Sequence, residues 1–452
     1  MSKQNIDQTY HMMSMDMPGF VKTVISRLYN YGFKAYVVGG AIRDVCLKRP
    51  VMDWDVATSA SPEEIRSIFH DIRNFSLKHE TVTLVDAGHL YEITSFRGAG
   101  DSGHNIKEDL GHRDFTINAM AYDIDKKVVL DPYGGRDDIS GRLVRAVENP
   151  RKRFSEDPLR LLRAIRIATE LEFRIEHGTM NAICSMSGQL ANVAKERVRD
   201  EFMKILLSQR PSKGFNLLRG SGLLKHFLPE LLEGFLKRQN AYHRYTIYRH
   251  IMETIDGVQP YPVLRLAALL HDIAKPRVRQ KVNNEFRFFR HAETSALLAE
   301  EIMQRLRFSK EMINEVVNLV ALHMIEYDSG WGQGAIRRLM RRAGPENMNH
   351  LLSFRRADLI AHGLIDRKLE LLSELEKRVG ELKKEPIAMD AGDLAVNGEQ
   401  VMDILGLSPG PAVGKVLEML TEKVTDQPDL NTEVDLTALL KEMREKSTAA
   451  FS

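Results

Sequence analysis

The apolar positions of this chain change period along its length. Over residues 19–147 they come as short runs and alternations, in the order helix, strand, turn, helix and then several strands such as 81–86 and 90–96, so a compact α/β head is expected there. Over residues 173–235, and through most of the chain beyond, they recur at helical spacing, with 194–207 the clearest amphipathic segment. No internal repeat interrupts the pattern.

Within the head, the apolar run Tyr36-Val37-Val38 reads as a short buried strand, ended by Gly39 and Gly40 where a helix opens at about Ala41. After Pro50, residues 51–56 alternate in the strand period. That spacing turns Met52, Trp54 and Val56 toward the core and places Asp53 and Asp55 together on the other face. The polar, glycine-rich connection 98–111, 14 residues long, is expected to be a mobile loop. The turn L-D-P-Y-G-G-R at 130–136 closes the head. Ser155 then reads as an N-cap, with Glu156, Asp157 and Pro158 in the first turn of a helix that buries Leu159, Leu162, Ile165 and Leu171. Its polar stripe carries Asp157, Arg160, Arg163 and Arg166.

Candidate chemistry enters at the glycine pair. A backbone without side chains can approach a phosphate closely, and N–H groups of the following turn can face it. Two carboxylates on one strand face, Asp53 and Asp55, can share Mg²⁺ ions, and two ions about 3.5 to 4 Å apart stabilise the attacking and leaving oxygens of a phosphoryl transfer. Taken alone, Gly-Gly is a plain turn; followed by D-x-D after a short helix it points to that chemistry. Residues 141–170 carry eight Arg and Lys against four acidic residues, a balance that suits polyphosphate or RNA backbone. Out of context, the arginine stripe reads first as a solvated, salt-bridged helix face.

Three motifs carry a family resemblance. G-G-A-I-R-D at 39–44 with D-W-D at 53–55 resembles the first motif of the nucleotidyltransferase superfamily that includes polymerase beta. With H-R-D-F-T-I-N-A-M-A at 112–121 and S-E-D-P-L-R-L-L-R-A-I-R at 155–166, the set resembles the bacterial tRNA nucleotidyltransferase and poly(A) polymerase family, class II, whose members build or repair the CCA end of tRNA. The resemblance implies a polymerase beta-like α/β head followed by an all-α neck, an HD module and a tail. It implies Mg²⁺ on Asp53 and Asp55, and CTP, ATP and tRNA as partners. Gly39, Gly40, Arg43 and Arg113 are implied as triphosphate and sugar contacts, with Asp114 helping to position the nucleotide. His112 stands where the family has a first arginine of R-R-D.

Base choice fits the third motif. Adenine and cytosine present an amino donor beside an unprotonated ring nitrogen, so a carboxylate and a guanidinium together accept A and C and oppose G and U. Asp157 and Arg160 are the candidates, with Arg163 and Arg166 as further nucleotide contacts implied by the resemblance. Versions of the family whose flexible loop is missing tend to stop after CC. The short 98–111 connection therefore keeps CC-only addition open beside full CCA addition. Poly(A) polymerase is a further alternative.

A second constellation lies in the helical half: His250, His271-Asp272, His291, His323 and Asp358. Single helical histidines are usually core or surface residues. Yet this order is similar to HD-family phosphohydrolases, and imidazole with carboxylate is a sensible ligand set for a divalent metal such as Mn²⁺, Ni²⁺ or Mg²⁺ that activates water. Lys275 is placed to neutralise a phosphate, and Ala274 replaces the glycine of H-D-I-G-K. A phosphohydrolase with an RNA-binding first half is the alternative from another class; the intact D-W-D argues against it.

Composition changes little. The 452 residues suggest about three domains. The motifs refine this to a head at 19–147, a neck at 148–240, an HD module at 241–366 and a tail at 367–452. In that tail, L-G-L-S-P-G-P-A-V-G-K at 405–415 resembles the region by which family members hold tRNA. A net charge of +2 selects no partner. Two cysteines, Cys46 and Cys184, give neither a metal spacing nor a disulfide framework, and no uncharged apolar run approaches 18 residues. A cytoplasmic protein with no membrane partner is expected, and no protein partner is predicted.

Overall fold

The computed structural model describes residues 10–76, 81–97, 105–240, 244–344, 346–363, 366–384 and 391–449. They fall into two units, Met1–Pro229 and Glu230–Ser452. In the first, the head contains β1 (Tyr10–Met12), α1 (Gly19–Asn30), β2 (Ala35–Val38), α2 (Gly40–Cys46), β3 (Asp55–Thr58), α3 (Pro62–Ile68), β4 (Asn74–Ser76), β5 (Thr81–Asp86), β6 (His89–Ser95), α4 (Ile106–Gly111), β7 (Ala121–Asp123) and β8 (Val128–Leu130). The eight strands form one sheet in the order β1-β8-β7-β2-β3-β6-β5-β4, and only the β3–β6 pairing is parallel. Helix α1 buries Val21, Val24, Ile25 and Leu28, a helical-period apolar stripe. The register that matters runs Val38 to Asp55 to Glu92 across β2, β3 and β6.

After the head come α5 (Gly135–Ser140), β9 (Leu143–Val144), α6 (Pro150–Glu156), α7 (Arg160–Leu171), β10 (Arg174–Ile175), α8 (His177–Met186), α9 (Lys195–Leu206) and α10 (Pro211–Gly220). Among its described residues, the second unit is helical except for one hairpin. It runs α11 (Glu230–Glu233), α12 (Ile247–Gly257), α13 (Pro262–Leu270), α14 (Lys275–Val278), β11 (Gln280–Val282), β12 (Glu285–Arg287), α15 (His291–Arg305), α16 (Lys310–Leu322), α17 (Gln333–Ala343), α18 (Met348–His362), α19 (Asp366–Leu382), α20 (Gly398–Leu405), α21 (Pro411–Asp426) and α22 (Glu433–Ala449). Its last three helices close a small core of Val401, Leu420, Val424, Leu436 and Leu440. Among the described residues, no helix is long and apolar enough to cross a membrane.

Local expectations failed at several places. The ladder of β3 starts only at Asp55, so strand alternation does not govern Met52, which is 84% exposed while Trp54 and Val56 are buried. Ser155 caps nothing: α6 already contains it, and the cap is Asn149, which accepts from the backbone N–H of Arg151 and Lys152. Pro158 disfavours helical geometry at the residue before it, so the chain breaks at Asp157 and restarts at Arg160. Leu171 is only half-buried. Of the 98–111 connection, residues 98–104 lie outside the described set. The remainder is not loop but α4, capped by Asn105 and anchored through Ile106 and Leu110 in a core cluster.

Close helix packing near the arginine stripe gives a test. A Cβ on Gly214 of α10 would lie 2.6 Å from Ile205 Cγ2 and 2.7 Å from Thr169 Oγ1. Gly214→Ala should therefore destabilise the first unit by about 1–3 kcal/mol, read as a lower urea midpoint. Gly220→Ala, with no atom within 4 Å, should leave it unchanged or higher.

Candidate active site and metal centre

Strand β2 ends at a turn that only glycine tolerates. Gly39 has φ 76° and ψ −140°, and a Cβ there would sit 3.1 Å from Arg113 Nη1 and 3.2 Å from Asp55 Oδ2. This turn opens on a cavity of about 730 Å³, lined by Gly39, Gly40, Arg43, Asp53, Asp55 and Arg113 on one side and by Asp157, Arg160, Arg163 and Arg166 on another. These ten residues, singled out from sequence in the head and the start of the neck, thus meet at one space, and Asp114 lines it too.

The carboxylates crowd one another. Partial burial raises Asp55, Asp53 adds to that, and Arg113 and Arg163 oppose it. Glu92, which the sequence analysis did not single out, faces the same cavity from β6, directly beside Asp55 in the ladder. The enclosing walls raise its carboxyl, and Asp55 and Asp53 push it further. Three like charges held this way favour either protons or a hard divalent cation, and the oxygen donor set fits Mg²⁺.

A buried polar relay ties the three motifs together. Asp114 is 7% exposed and accepts from Arg163 Nε at 2.9 Å, from Asn118 Nδ2 at 3.1 Å and from the Phe115 backbone N–H at 2.8 Å. Asn118 Oδ1 in turn accepts from Arg43 Nη1 at 2.7 Å. Burial, the largest influence, pushes the Asp114 carboxyl up, but Arg163, Asn118 and Arg160 together hold it at about 2.

The pair expected from the sequence to select the base lines the cavity but is engaged by protein partners. Asp157 pairs with Arg197 Nη2 at 2.9 Å and also accepts from the Leu159 backbone N–H, which fixes the break between α6 and α7. Arg160 donates to the backbone carbonyls of Arg153 and His112 and pairs with Glu156. His112 thus offers its main-chain carbonyl to Arg160 and also lines the cavity. Arg166 is held by Glu201 at 2.6 Å and Glu170 at 2.8 Å. The stripe is thus both salt-bridged and cavity-lining, and the alternatives weighed from sequence are not exclusive. Arg197 and Glu201, both on α9, had no signal of their own beyond an ordinary charged helix face.

In the second unit, His250, His271, Asp272, His323 and Asp358 are buried together, with His291 at their edge. His250 Nε2 lies 3.0 Å from Asp358 Oδ1, 3.1 Å from His271 Nε2 and 3.3 Å from Asp272 Oδ2. His291 Nε2 and His323 Nε2 lie 3.5 and 3.9 Å from the other oxygen of Asp272. Lys275 Nζ is 2.6 Å from Asp272, and Arg355 is 2.6 Å from Asp358. His362, one helical turn after Asp358, joins the group and was missed; an Asp and a His four apart on a helix was the available signal. Burial is the largest effect on His271 and pushes it down, yet Asp272 and Asp358 lift it to about 9. Burial and His271 push His323 down to about 3. His291 Nε2 is buried without a hydrogen-bond partner. Two aspartates and several inward imidazoles, one with an orphaned ring nitrogen, make a donor set that fits a divalent cation.

Comparison with known proteins agrees with this division of chemistry. Residues 35–145 match the family described as "Poly A polymerase head domain". Residues 172–234 match "Probable RNA and SrmB- binding site of polymerase A", and 249–361 match "HD domain". The CCA-adding enzyme of Lactococcus lactis subsp. lactis is 30% identical over 440 residues, 93% of this chain and 96% of that one. That of Geobacillus thermodenitrificans is 39% identical over 232 residues, 48% of this chain and 57% of its own length. The solved structure of the Bacillus stearothermophilus CCA-adding enzyme in complex with CTP superimposes with a TM-score of 0.72 at 27% identity, covering 96% of this chain and all of that one.

The Asp114 relay predicts an acid-dependent stability term. Its carboxyl is lowered from 3.8 to about 2 in the fold, so its contribution is complete above about pH 5 and is lost as pH falls toward 2. The difference in unfolding free energy between wild type and Asp114→Asn should stay constant above about pH 5 and shrink by about 2 kcal/mol below it. Urea titrations at stepped pH read this directly.

Proposed function

The chain belongs to the family of CCA-adding enzymes, tRNA nucleotidyltransferases, and from that premise we propose how its own residues carry the reaction. It adds C and A residues to the 3′ end of tRNA without a nucleic-acid template, from CTP and ATP. The 3′-hydroxyl oxygen bonds to the α-phosphorus, the bond from that phosphorus to the α–β bridging oxygen breaks, and pyrophosphate leaves. Mg²⁺ held by Asp53 and Asp55 supplies charge stabilisation when bound. Gly39 and Gly40 let the triphosphate approach the backbone, and Arg43 and Arg113 balance its charge. Glu92, beside Asp55 on β6 and lining the same cavity, takes the proton from the attacking hydroxyl. Asp157 and Arg160 accept A and C by their opposed hydrogen-bonding senses, after exchanging their present protein partners for the base. Arg163 and Arg166 line the same wall. The observation that carries the reading is the meeting of all three motifs at one cavity.

The HD module holds its own divalent metal, Mn²⁺, Ni²⁺ or Mg²⁺, on His250, His271, Asp272 and Asp358, with His291, His323 and His362 beside them and Lys275 neutralising a phosphate. Phosphoester hydrolysis is the activity this set suits. The division at 19–147, 148–240, 241–366 and 367–452, tRNA holding by the tail and a cytoplasmic location belong to the same proposal.

Purified protein given tRNA lacking its last three, two or one nucleotides with each labelled NTP should yield products ending in CCA on sequencing. A CC end without A would instead support the short-connection alternative. Asp53→Ala or Asp55→Ala should lower incorporation by about 10²–10³-fold or more while leaving tRNA binding intact. Asp157→Ala with Arg160→Ala should admit UTP or GTP or slow every nucleotide, and unchanged base choice counts against the pair.

Asp272→Ala should remove bound metal from the second unit by elemental analysis and abolish any phosphoester cleavage. Nucleotide addition should continue, because the head carries a separate ligand set. Wild-type protein without metal or phosphoesterase activity would make the cluster purely structural.

A further inference from the structure

Two large apolar side chains stand exposed in the polar cavity. Met52, one residue before Asp53, is 84% exposed, and Leu90 on β6 is 60% exposed; both line the space that holds the carboxylates. Met52 was expected in the core, and Leu90 shares a strand face with Glu92 and Thr94. Water-exposed apolar groups at a reactive centre call for a partner with an apolar face.

Sheet order says which partner comes to that side. The glycine turn that receives the triphosphate ends β2, Asp55 opens β3, and Glu92 and Leu90 lie on β6, with Val38, Asp55 and Glu92 in register across the three. In an in-line displacement the leaving pyrophosphate and the attacking oxygen lie on opposite sides of the α-phosphorus. If pyrophosphate leaves toward β2, the 3′-hydroxyl must arrive over β6. The group arriving there is the last nucleotide of the primer, whose neutral base has two flat faces. A polarisable thioether and a branched aliphatic chain suit such a face without reading its edge.

We propose that Met52 and Leu90 form the platform on which the 3′-terminal nucleotide of the tRNA primer rests while its hydroxyl reacts. The platform rests on the triphosphate and carboxylate assignments above. It is indifferent to base identity, as it must be: the terminal nucleotide is the discriminator base, then C, then C again as addition proceeds. Met52 and Leu90 are positioning residues, since the carboxylates beside them do the chemistry.

The test uses the full chain, tRNA lacking its last three nucleotides, and CTP. Met52→Ser with Leu90→Ser should raise the KM for tRNA about tenfold, the size of one base-stacking contact, with kcat at saturating tRNA close to wild type. CTP affinity measured by direct titration should not change, and Met52→Leu should behave as wild type. A primer carrying 2-aminopurine at its 3′ end should show a change in fluorescence on binding, as the base leaves its stacked neighbour for the apolar platform, and that change should be lost in the double variant. Both side chains are exposed, so the melting temperature should hold; the single Met52→Ser variant repeats the test with the most exposed position alone. Unchanged KM for tRNA, or CTP affinity falling in step with it, overturns the platform. Failure of the wild-type chain to bind CTP overturns the underlying site assignment and the platform with it.

Discussion

One buried charge organises the head. Asp114 is almost completely enclosed, and an enclosed carboxylate is tolerated only with charged and hydrogen-bonding partners around it. Its partners come from α7 through Arg163 and from its own turn through Phe115 and Asn118. Asn118 passes the connection to Arg43 at the glycine turn. Satisfying this one group therefore brings three distant stretches of chain to a common wall. Removing it would leave Arg163 facing inward without its main counter-charge, which explains why the arginine stripe holds a fixed orientation.

The two candidate metal sites solve opposite problems. In the head the carboxylates sit at an open cavity, where substrate phosphates can complete a cation's coordination and leave again. In the second unit the imidazoles and aspartates are enclosed and draw protons or a cation from one another's fields, as the opposed shifts of His271 and His323 show. A substrate can exchange freely at the first site, whereas the second encloses its donors, an arrangement that suits an ion held in place.

Engagement of Asp157 and Arg160 with protein partners has a functional meaning of its own. Each already makes hydrogen bonds of the sense it would offer a base: Asp157 accepts from Arg197, and Arg160 donates to carbonyls. Under the roles proposed for them, the site is held in shape before a nucleotide arrives, and the correct base would replace bonds of the same polarity. A base with the wrong polarity would leave those groups unpaired, which costs more than the lost bond itself.

Motif chemistry and helical period were legible directly, because they depend on residues close in sequence. D-W-D, the glycine turn, H-R-D and the arginines spaced by three all named residues that meet at one cavity, and the H, H-D, H, H, D order named a real cluster. Local rules failed where a neighbour outside the local window decided the outcome. Ser155 looked like a cap because Glu and Pro follow it, but Asn149 and Pro158 set the helix ends. The end of the glycine-rich connection looked like loop until Ile106 and Leu110 found a core to enter. Glu92 could not be recognised at all: its alternating strand carries no chemical signature, and only the parallel pairing of β3 with β6 puts it beside Asp55. Met52 is the converse, an apolar residue turned outward because the strand that would have buried it begins three positions later. The residues able to do chemistry were thus set by the sequence, while strand order and register decided which of them face one another, since pairing across a sheet depends on partners far apart along the chain.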